Sequence, residues 1–261
     1  MESSKKRICL IVGAGAVENS WLPIIEVLKP DYYFDFDADS ANCFLARMIY
    51  NLRHSATSDD PNIKGGLQNK LSDFSEFKLR ISKAIYTYEL KRKIYPRREF
   101  FLFLDKFIFQ EGIEFISIST NWDTVIDKAI NYEHPGKYET FHLHGIITNP
   151  DMLYLPSEVA MEPYRSEQDR KTILEYHASF MHAITESHSV ILYGLSLDPL
   201  DAELSEILSY GLDSSNIKEI IIINPDHERI SKRVKLLLAS WIRKVNVFAY
   251  LPDELSVKIQ Y

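Results

Sequence analysis

The chain has 261 residues, 46% of them hydrophobic, with 30 Lys and Arg against 37 Asp and Glu and a formal net charge of −7. That length and apolar content suffice to bury one sizeable core and exclude a largely disordered chain. The acidic balance excludes bulk attraction to nucleic acid or to an anionic membrane surface. Cys9 and Cys43 are the only cysteines, too few for a disulfide framework or a structural zinc site and in keeping with a reducing compartment.

A charged segment, Met1–Arg7, precedes the apolar run Ile8–Val12, which Gly13 interrupts. The run is too short for a secretory core or a membrane span, and a soluble, cytoplasmic protein is expected. Further apolar runs at Phe115–Ser119, Tyr138–Leu143, Ser189–Tyr193, Glu219–Ile223 and Val245–Tyr250, most of them rich in Ile and Val, read as buried strands. Helical periodicity covers Val17–Leu28, Ala41–Arg53, Leu71–Lys93, Arg97–Gln110, Thr124–Tyr132, Gln168–Glu186, Asp201–Tyr210 and His227–Ile242. Strands without internal alternation, separated by helices, predict an α/β protein with a Rossmann-like, doubly wound parallel sheet. The strand rhythm lapses between Asp39 and Gln110, so one domain over residues 1–261 with a helical insertion over about 39–110 is expected. Within the insertion, Ser55–Gly66 reads as an exposed loop, and Asn149–Tyr164, with three prolines, reads as a connector rather than a cover over a site.

Polar and glycine residues gather where the predicted strands end. Gly13-Ala14-Gly15-Ala16 follows the first strand and precedes a helical pattern, the context of a phosphate-binding turn in which backbone amides and a helix N-terminus face an anion. Glu18 stands where the dehydrogenase fingerprint has its third glycine. Asp35 and Asp37 lie at the spacing of a ribose-binding acid, but Pro30–Asp39 carries four aspartates and reads better as a solvated turn entering a helix. After the second strand, Thr120, Asn121 and Asp123 are placed to meet a ligand at the carboxyl edge of a parallel sheet; helix capping accounts for one of them equally well. His142 and His144 alternate along a strand and are expected on one face, with His144 functional, His142 supporting, and Gly145 permitting close approach of a ligand. Gly194 and Ser196 are candidates for nucleotide phosphate or ribose, and Asn224 for ribose hydroxyls; Ser196 or Asp198 capping the next helix, and a turn at Asn224–Asp226, are the structural alternatives.

Taken in order, Gly13-Ala14-Gly15, Thr120-Asn121-Trp122-Asp123, His144-Gly145, Gly194-Leu195-Ser196 with Asp198-Pro199, and Ile223-Asn224 resemble the sirtuin superfamily, in its bacterial sirtuin-like branch. The resemblance spans residues 8 to about 226 and implies NAD as substrate. It makes Asn121, Asp123 and His144 catalytic, and Gly13, Ala14, Gly15, Ala16, Thr120, Gly194, Ser196 and Asn224 NAD-binding. The paired CxxC motifs of zinc-bearing deacylases are absent, as is a Gly-Ile-Pro-Asp-Phe-Arg segment. The resemblance therefore implies a metal-free NAD glycohydrolase of the antiphage type, restrained by oligomer state or a partner protein. A non-catalytic NAD or ADP-ribose sensor, and at greater distance a zinc-free deacylase, an ADP-ribosyltransferase or a dehydrogenase, are the competing expectations.

Overall fold

A computed structural model describes residues 5–32, 34–132, 134–238 and 245–256. Six parallel strands form the main sheet: β1 (Lys6–Val12), β4 (Ile113–Ser119), β5 (Thr140–His142), β6 (Ser189–Tyr193), β7 (Glu219–Ile223) and β8 (Asn246–Tyr250). Their order is β5-β4-β1-β6-β7-β8. Numbered within this sheet alone, that is 3-2-1-4-5-6, the arrangement of doubly wound dinucleotide-binding sheets. The chain first winds outward from β1 through β4 to β5, then crosses to β6 on the other side. A crevice opens at this reversal, beyond the carboxyl ends of β1 and β6.

The inner strands β1, β6 and β7 read as apolar because both faces of the sheet are covered there. The edge strands β5 and β8, expected to be buried as well, are not, and Phe141 and Phe248 are exposed because each edge has a neighbouring strand on one side only. Along β1, Ile8, Leu10 and Val12 join one apolar cluster while Cys9 and Ile11 join the other, the period of two that a strand imposes. The first cluster is closed by α1 (Leu22–Tyr32), α2 (Ala38–Thr57), α4 (Leu67–Leu90), α5 (Arg98–Phe103) and α6 (Val125–Ile130). The second is closed by α7 (Glu167–Thr185), α8 (Ala202–Leu212) and α9 (His227–Leu237). Leu10, Ile11, Leu45, Ile81 and Leu208 are fully buried, and each such side chain contributes roughly 1.5–3 kcal/mol of transfer free energy.

From the turn after β1 to β4 the chain is mostly helical, as the periodicity indicates, with three differences. Ser55–Gly66 is not one loop: α2 runs on to Thr57, and a short helix, α3 (Pro61–Gly65), starts behind Asp60, whose carboxylate accepts from the Asn62 amide. A two-residue strand, β2 (Val17–Glu18), pairs antiparallel with β3 (Tyr95–Pro96), so the helix expected from Val17 begins only at Leu22. The helix expected over Arg97–Gln110 ends as a π-helical turn over Leu104–Ile108. Asp37 caps α2 through a capping box with Ser40, and Asp35 is fully exposed, so these two aspartates sit at a solvated helix entry as the sequence indicates, whereas Pro30–Tyr32 belong to the end of α1. The helix expected over His227–Ile242 ends at Leu237, and its last residues lie outside the described ones. Among the described residues no helix is long and apolar enough to cross a membrane.

Candidate active site

The crevice holds a cavity of about 780 Å³ walled by the loops that follow β1, β4, β5, β6 and β7. A volume within roughly 300–1,000 Å³ suits a small-molecule or nucleotide ligand. Gly13, Ala14, Gly15, Thr120, Asn121, Asp123, His144, Gly194, Ser196 and Asn224 all line it; of the other residues weighed in the sequence, Ala16, Asp35, Asp37, His142 and Gly145 do not. Ala16 is fully buried behind the turn. Asn42 and Ile85, from α2 and α4, bring the helical segment into the wall.

The glycine turn is built differently from a phosphate-binding helix start. A single 3-10 turn over Ala14–Ala16 leads into β2, so no helix N-terminus points from it into the cavity. The Gly13 amide donates to the Tyr193 carbonyl (2.9 Å), the Gly15 amide to the Gly194 carbonyl (2.9 Å) and the Ala16 amide to the Gly13 carbonyl (3.1 Å). Three of the four amides are thus engaged by the protein. The glycines instead let two loops touch: a Cβ on Gly15 would lie 2.8 Å from the Gly194 Cα, and one on Gly194, at φ +65°, would lie 2.6 Å from the Ala16 nitrogen.

Beyond β4, the Thr120–Asp123 segment is tied down at its backbone. The Thr120 amide donates to the Val12 carbonyl (2.9 Å), and the Asn121 amide to Ser119 Oγ (3.1 Å). Asn121 is only 7% exposed, yet its side-chain Nδ2 has no hydrogen-bond partner among the described residues. An orphaned buried amide beside a cavity leaves a hydrogen-bonding group that a ligand filling the cavity would satisfy. Asp123 has two engagements. Its Oδ1 accepts from the Val125 amide (3.0 Å) at the start of α6, and the residue is also part of the cavity wall. Burial pushes its pKa up to about 6, against the lowering effect of that amide.

His142 and His144 do not share a face. Strand β5 pairs with β4 only through His142, and the chain then turns at Gly145, at φ +77°. His142 points behind the site, its Nδ1 3.0 Å from the Asn121 carbonyl and its Nε2 3.0 Å from Asp127 Oδ2. Burial alone would lower its pKa, but Asp127 and the carbonyl outweigh burial and raise it. Both ring nitrogens face acceptors, so the imidazolium fits this position and fixes the Asn121 backbone from below. His144 faces the cavity with 14% of its side chain exposed, and its Nε2 lies 3.5 Å from Asp201 Oδ1. Burial again opposes the charged ring, but Asp201 and a backbone hydrogen bond to Thr120 outweigh it, and the pKa is raised. Gly145 admits the Met152 backbone rather than a ligand: a Cβ there would lie 2.3 Å from the Met152 carbonyl oxygen.

The proline-rich segment Asn149–Tyr164 is therefore not a mere connector. Tyr154, Leu155 and Pro156 line the cavity, and the Tyr154 ring stacks on His144 at 5.6 Å. The Trp122 indole donates to the Tyr154 carbonyl (3.1 Å), and the Tyr154 hydroxyl donates to Glu203. Glu158 and Glu162, both buried, fold back onto the segment's own amides at Leu155 (2.6 Å) and Val159 (3.0 Å). Lys78 of α4, Arg165 and Arg53 of α2 supply the opposing charge.

Asn224 and Ser196 divide differently than expected. Both polar atoms of the Asn224 amide are spent inside the protein, Nδ2 on the Leu195 carbonyl (2.8 Å) and Oδ1 on the Asp226 amide (2.8 Å), so Asn224 shapes the β6–α8 loop. Ser196 is exposed at the cavity edge, and Asp198 caps the 3-10 turn at Leu200. Asp201, Tyr154 and Asn42 are cavity residues that the sequence reading missed. Asp201 carried a faint signal, since it begins the helical pattern after Asp198-Pro199, where an acid is ordinarily taken for a cap. No protein-family model matches the chain, and no curated protein matches it significantly.

Proposed function

We propose that the protein is a sirtuin-like NAD glycohydrolase, breaking the bond between nicotinamide and ribose C1′ with water as acceptor. The observation that carries the reading is the meeting, in one cavity at the sheet reversal, of the partnerless Asn121 amide with the His144–Asp201 pair. Sheet order, cavity volume and an unsatisfied amide fit a dinucleotide.

The leaving group in this reaction is already a cationic pyridinium, so departure with the bonding pair needs no strong acid. What the chain must supply is placement of the ribose, a field that favours positive charge at C1′, and a proton acceptor for water. Asp123, ionised above pH of about 6, supplies the field from a buried position. Asn121 orients ribose or water through its free amide. His144, neutral, accepts the proton as water oxygen bonds to C1′, and Asp201 stabilises the imidazolium that results. General-base participation of this kind contributes about 10²–10⁴-fold. A freely active NAD hydrolase would drain its host, so the reading includes restraint by self-assembly or a partner protein.

The test is release of nicotinamide and ADP-ribose from NAD by purified wild type, Asn121→Ala and His144→Ala, alongside NAD levels in cells expressing each. Wild type should release both products, and the variants should lose turnover while keeping their fold. Release at the wild-type rate by either variant refutes the assignment. Tight NAD binding by wild type without product, in tube and cell alike, would replace hydrolysis by a sensor role.

A further inference from the structure

We infer that Arg97 binds the diphosphate of the dinucleotide by exchanging its present partner, Glu18, for the phosphate oxygens; this rests on the reading of the cavity as an NAD site. A dianionic diphosphate needs positive charge or free amides near the turn after β1. That turn offers neither a helix N-terminus nor the Gly13, Gly15 and Ala16 amides, which are engaged within the protein. The cavity is acidic besides: among the described residues Glu18, Asp123, Asp198, Asp201 and Asp226 line it against Arg97 and Arg229.

Of those two cations, Arg97 belongs to the turn. Strands β2 and β3 pair Glu18 with Tyr95, and the Arg97 amide donates to the Ala16 carbonyl at 2.9 Å. This short ladder delivers the side chain from the end of the helical segment to the first sheet loop. Its Nη1 lies 2.6 Å from Glu18 Oε2, with the two side chains 43% and 33% exposed. A pair this wet is weakly held and exchangeable, and a guanidinium fits two phosphate oxygens as well as it fits a carboxylate. Arg229, by contrast, stands at the β7 end, paired with Asp226 and well exposed. Glu18 thus holds Arg97 against an anion-free cavity and opposes the anion once it enters.

The two members of the pair should therefore act in opposite directions. ADP-ribose, ADP and adenosine binding to wild type, Arg97→Gln and Glu18→Gln is measured by calorimetry, with thermal unfolding to confirm the fold. Arg97→Gln is expected to weaken ADP-ribose and ADP by about 10- to 100-fold, the worth of a charged hydrogen bond, and to leave adenosine unchanged. Glu18→Gln should tighten both diphosphates severalfold. Equal weakening by the two variants would show that the pair only braces the turn, and would overturn the inference. Unchanged ADP-ribose affinity in Arg97→Gln would overturn it while leaving the NAD reading intact. Failure of wild type to bind ADP-ribose at all would overturn both.

Discussion

His144 and Asp201 meet across the cavity, Nε2 to Oδ1 at 3.5 Å, although one follows β5 and the other begins α8. Asp201 occupies the N-cap position of that helix without making a capping hydrogen bond. The carboxylate is spent on the histidine instead of on the backbone. A cap is commonly worth about 1 kcal/mol, and here Asp198 supplies it to the 3-10 turn that leads into α8, which leaves the Asp201 carboxylate to the imidazole.

Asp201→Asn should lower the pKa of His144, since the carboxylate is the foremost of the effects that raise it against burial. In the proposed role of base, His144 would work in its neutral form, so wild-type activity is expected to rise as pH passes upward through a value above the ordinary 6.5. In Asp201→Asn that rising limb should move toward acid and the plateau should fall. Proton NMR titration of the His144 ring follows the same shift without substrate. An unmoved titration would show that Asp201 does not govern the ring.

Asp123 is held in conflict with the fold. Its pKa is raised from 3.8 to about 6 by burial, so the folded state disfavours the charge that the unfolded state carries freely. A raised folded pKa means a contribution to stability that is full below 3.8 and lost as pH rises through 6. At 1.36 kcal/mol per pK unit the loss is about 3 kcal/mol at neutral pH. Asp123→Asn keeps an oxygen for the Val125 amide and removes the charge. It should be more stable than wild type above pH 6 by about that amount and equal to it below pH 4, while nicotinamide release falls about 10²-fold or more. Urea unfolding at pH 4 and pH 8 checks the first part, and no gain at pH 8 would show the carboxyl to be solvated.

The inner strands β1, β6 and β7 were legible because burial on both faces leaves runs of Ile, Leu and Val, and the candidate site could be placed at the strand ends because parallel sheets present all carboxyl ends together. Asn121, Asp123 and His144 declare themselves by position. What stayed hidden depends on contacts between distant segments. Nothing local in Asp201 says that its carboxylate skips its own helix. The Gly13-Ala14-Gly15 turn looks like a phosphate cradle, and only the approach of Gly194 shows where its amides go. Glu158 and Glu162 sit among prolines in a stretch that reads as a connector, and the charges that meet them there come from Arg165 beside the segment and from Lys78 and Arg53 on distant helices.

The contact between the two glycine loops should tolerate no side chain. Gly194→Ala places a residue at φ +65° with its Cβ 2.6 Å from backbone, combining left-handed strain with overpacking, a cost of about 2–5 kcal/mol. Gly65→Ala is the control, with nothing within 4 Å of its Cβ and an expected change within about 1 kcal/mol, toward stability. Urea midpoints of the two variants should separate clearly. Comparable midpoints would mean that the loops do not touch in solution.

The final prediction concerns the ion cluster that holds the cavity cover. Glu158 Oε1 accepts from Arg165 (2.6 Å) and the Tyr164 hydroxyl (3.1 Å), and Oε2 accepts from the Leu155 amide (2.6 Å) with Lys78 at 3.7 Å. All of these charges are nearly without solvent, and burial lowers the Lys78 pKa against the pull of Glu158. Glu158→Gln leaves two buried cations facing a neutral amide, which costs about 3–5 kcal/mol. Lys78→Met keeps the apolar stem near Phe74 and leaves Glu158 satisfied by Arg165, so it should cost less, and it should recover part of the loss when combined with Glu158→Gln. Because Leu155 and Tyr154 line the cavity, Glu158→Gln should also speed hydrogen exchange at their amides and weaken ligand binding. Normal exchange at Leu155 in a destabilised Glu158→Gln protein would separate the cluster from the cover and assign it to the core alone.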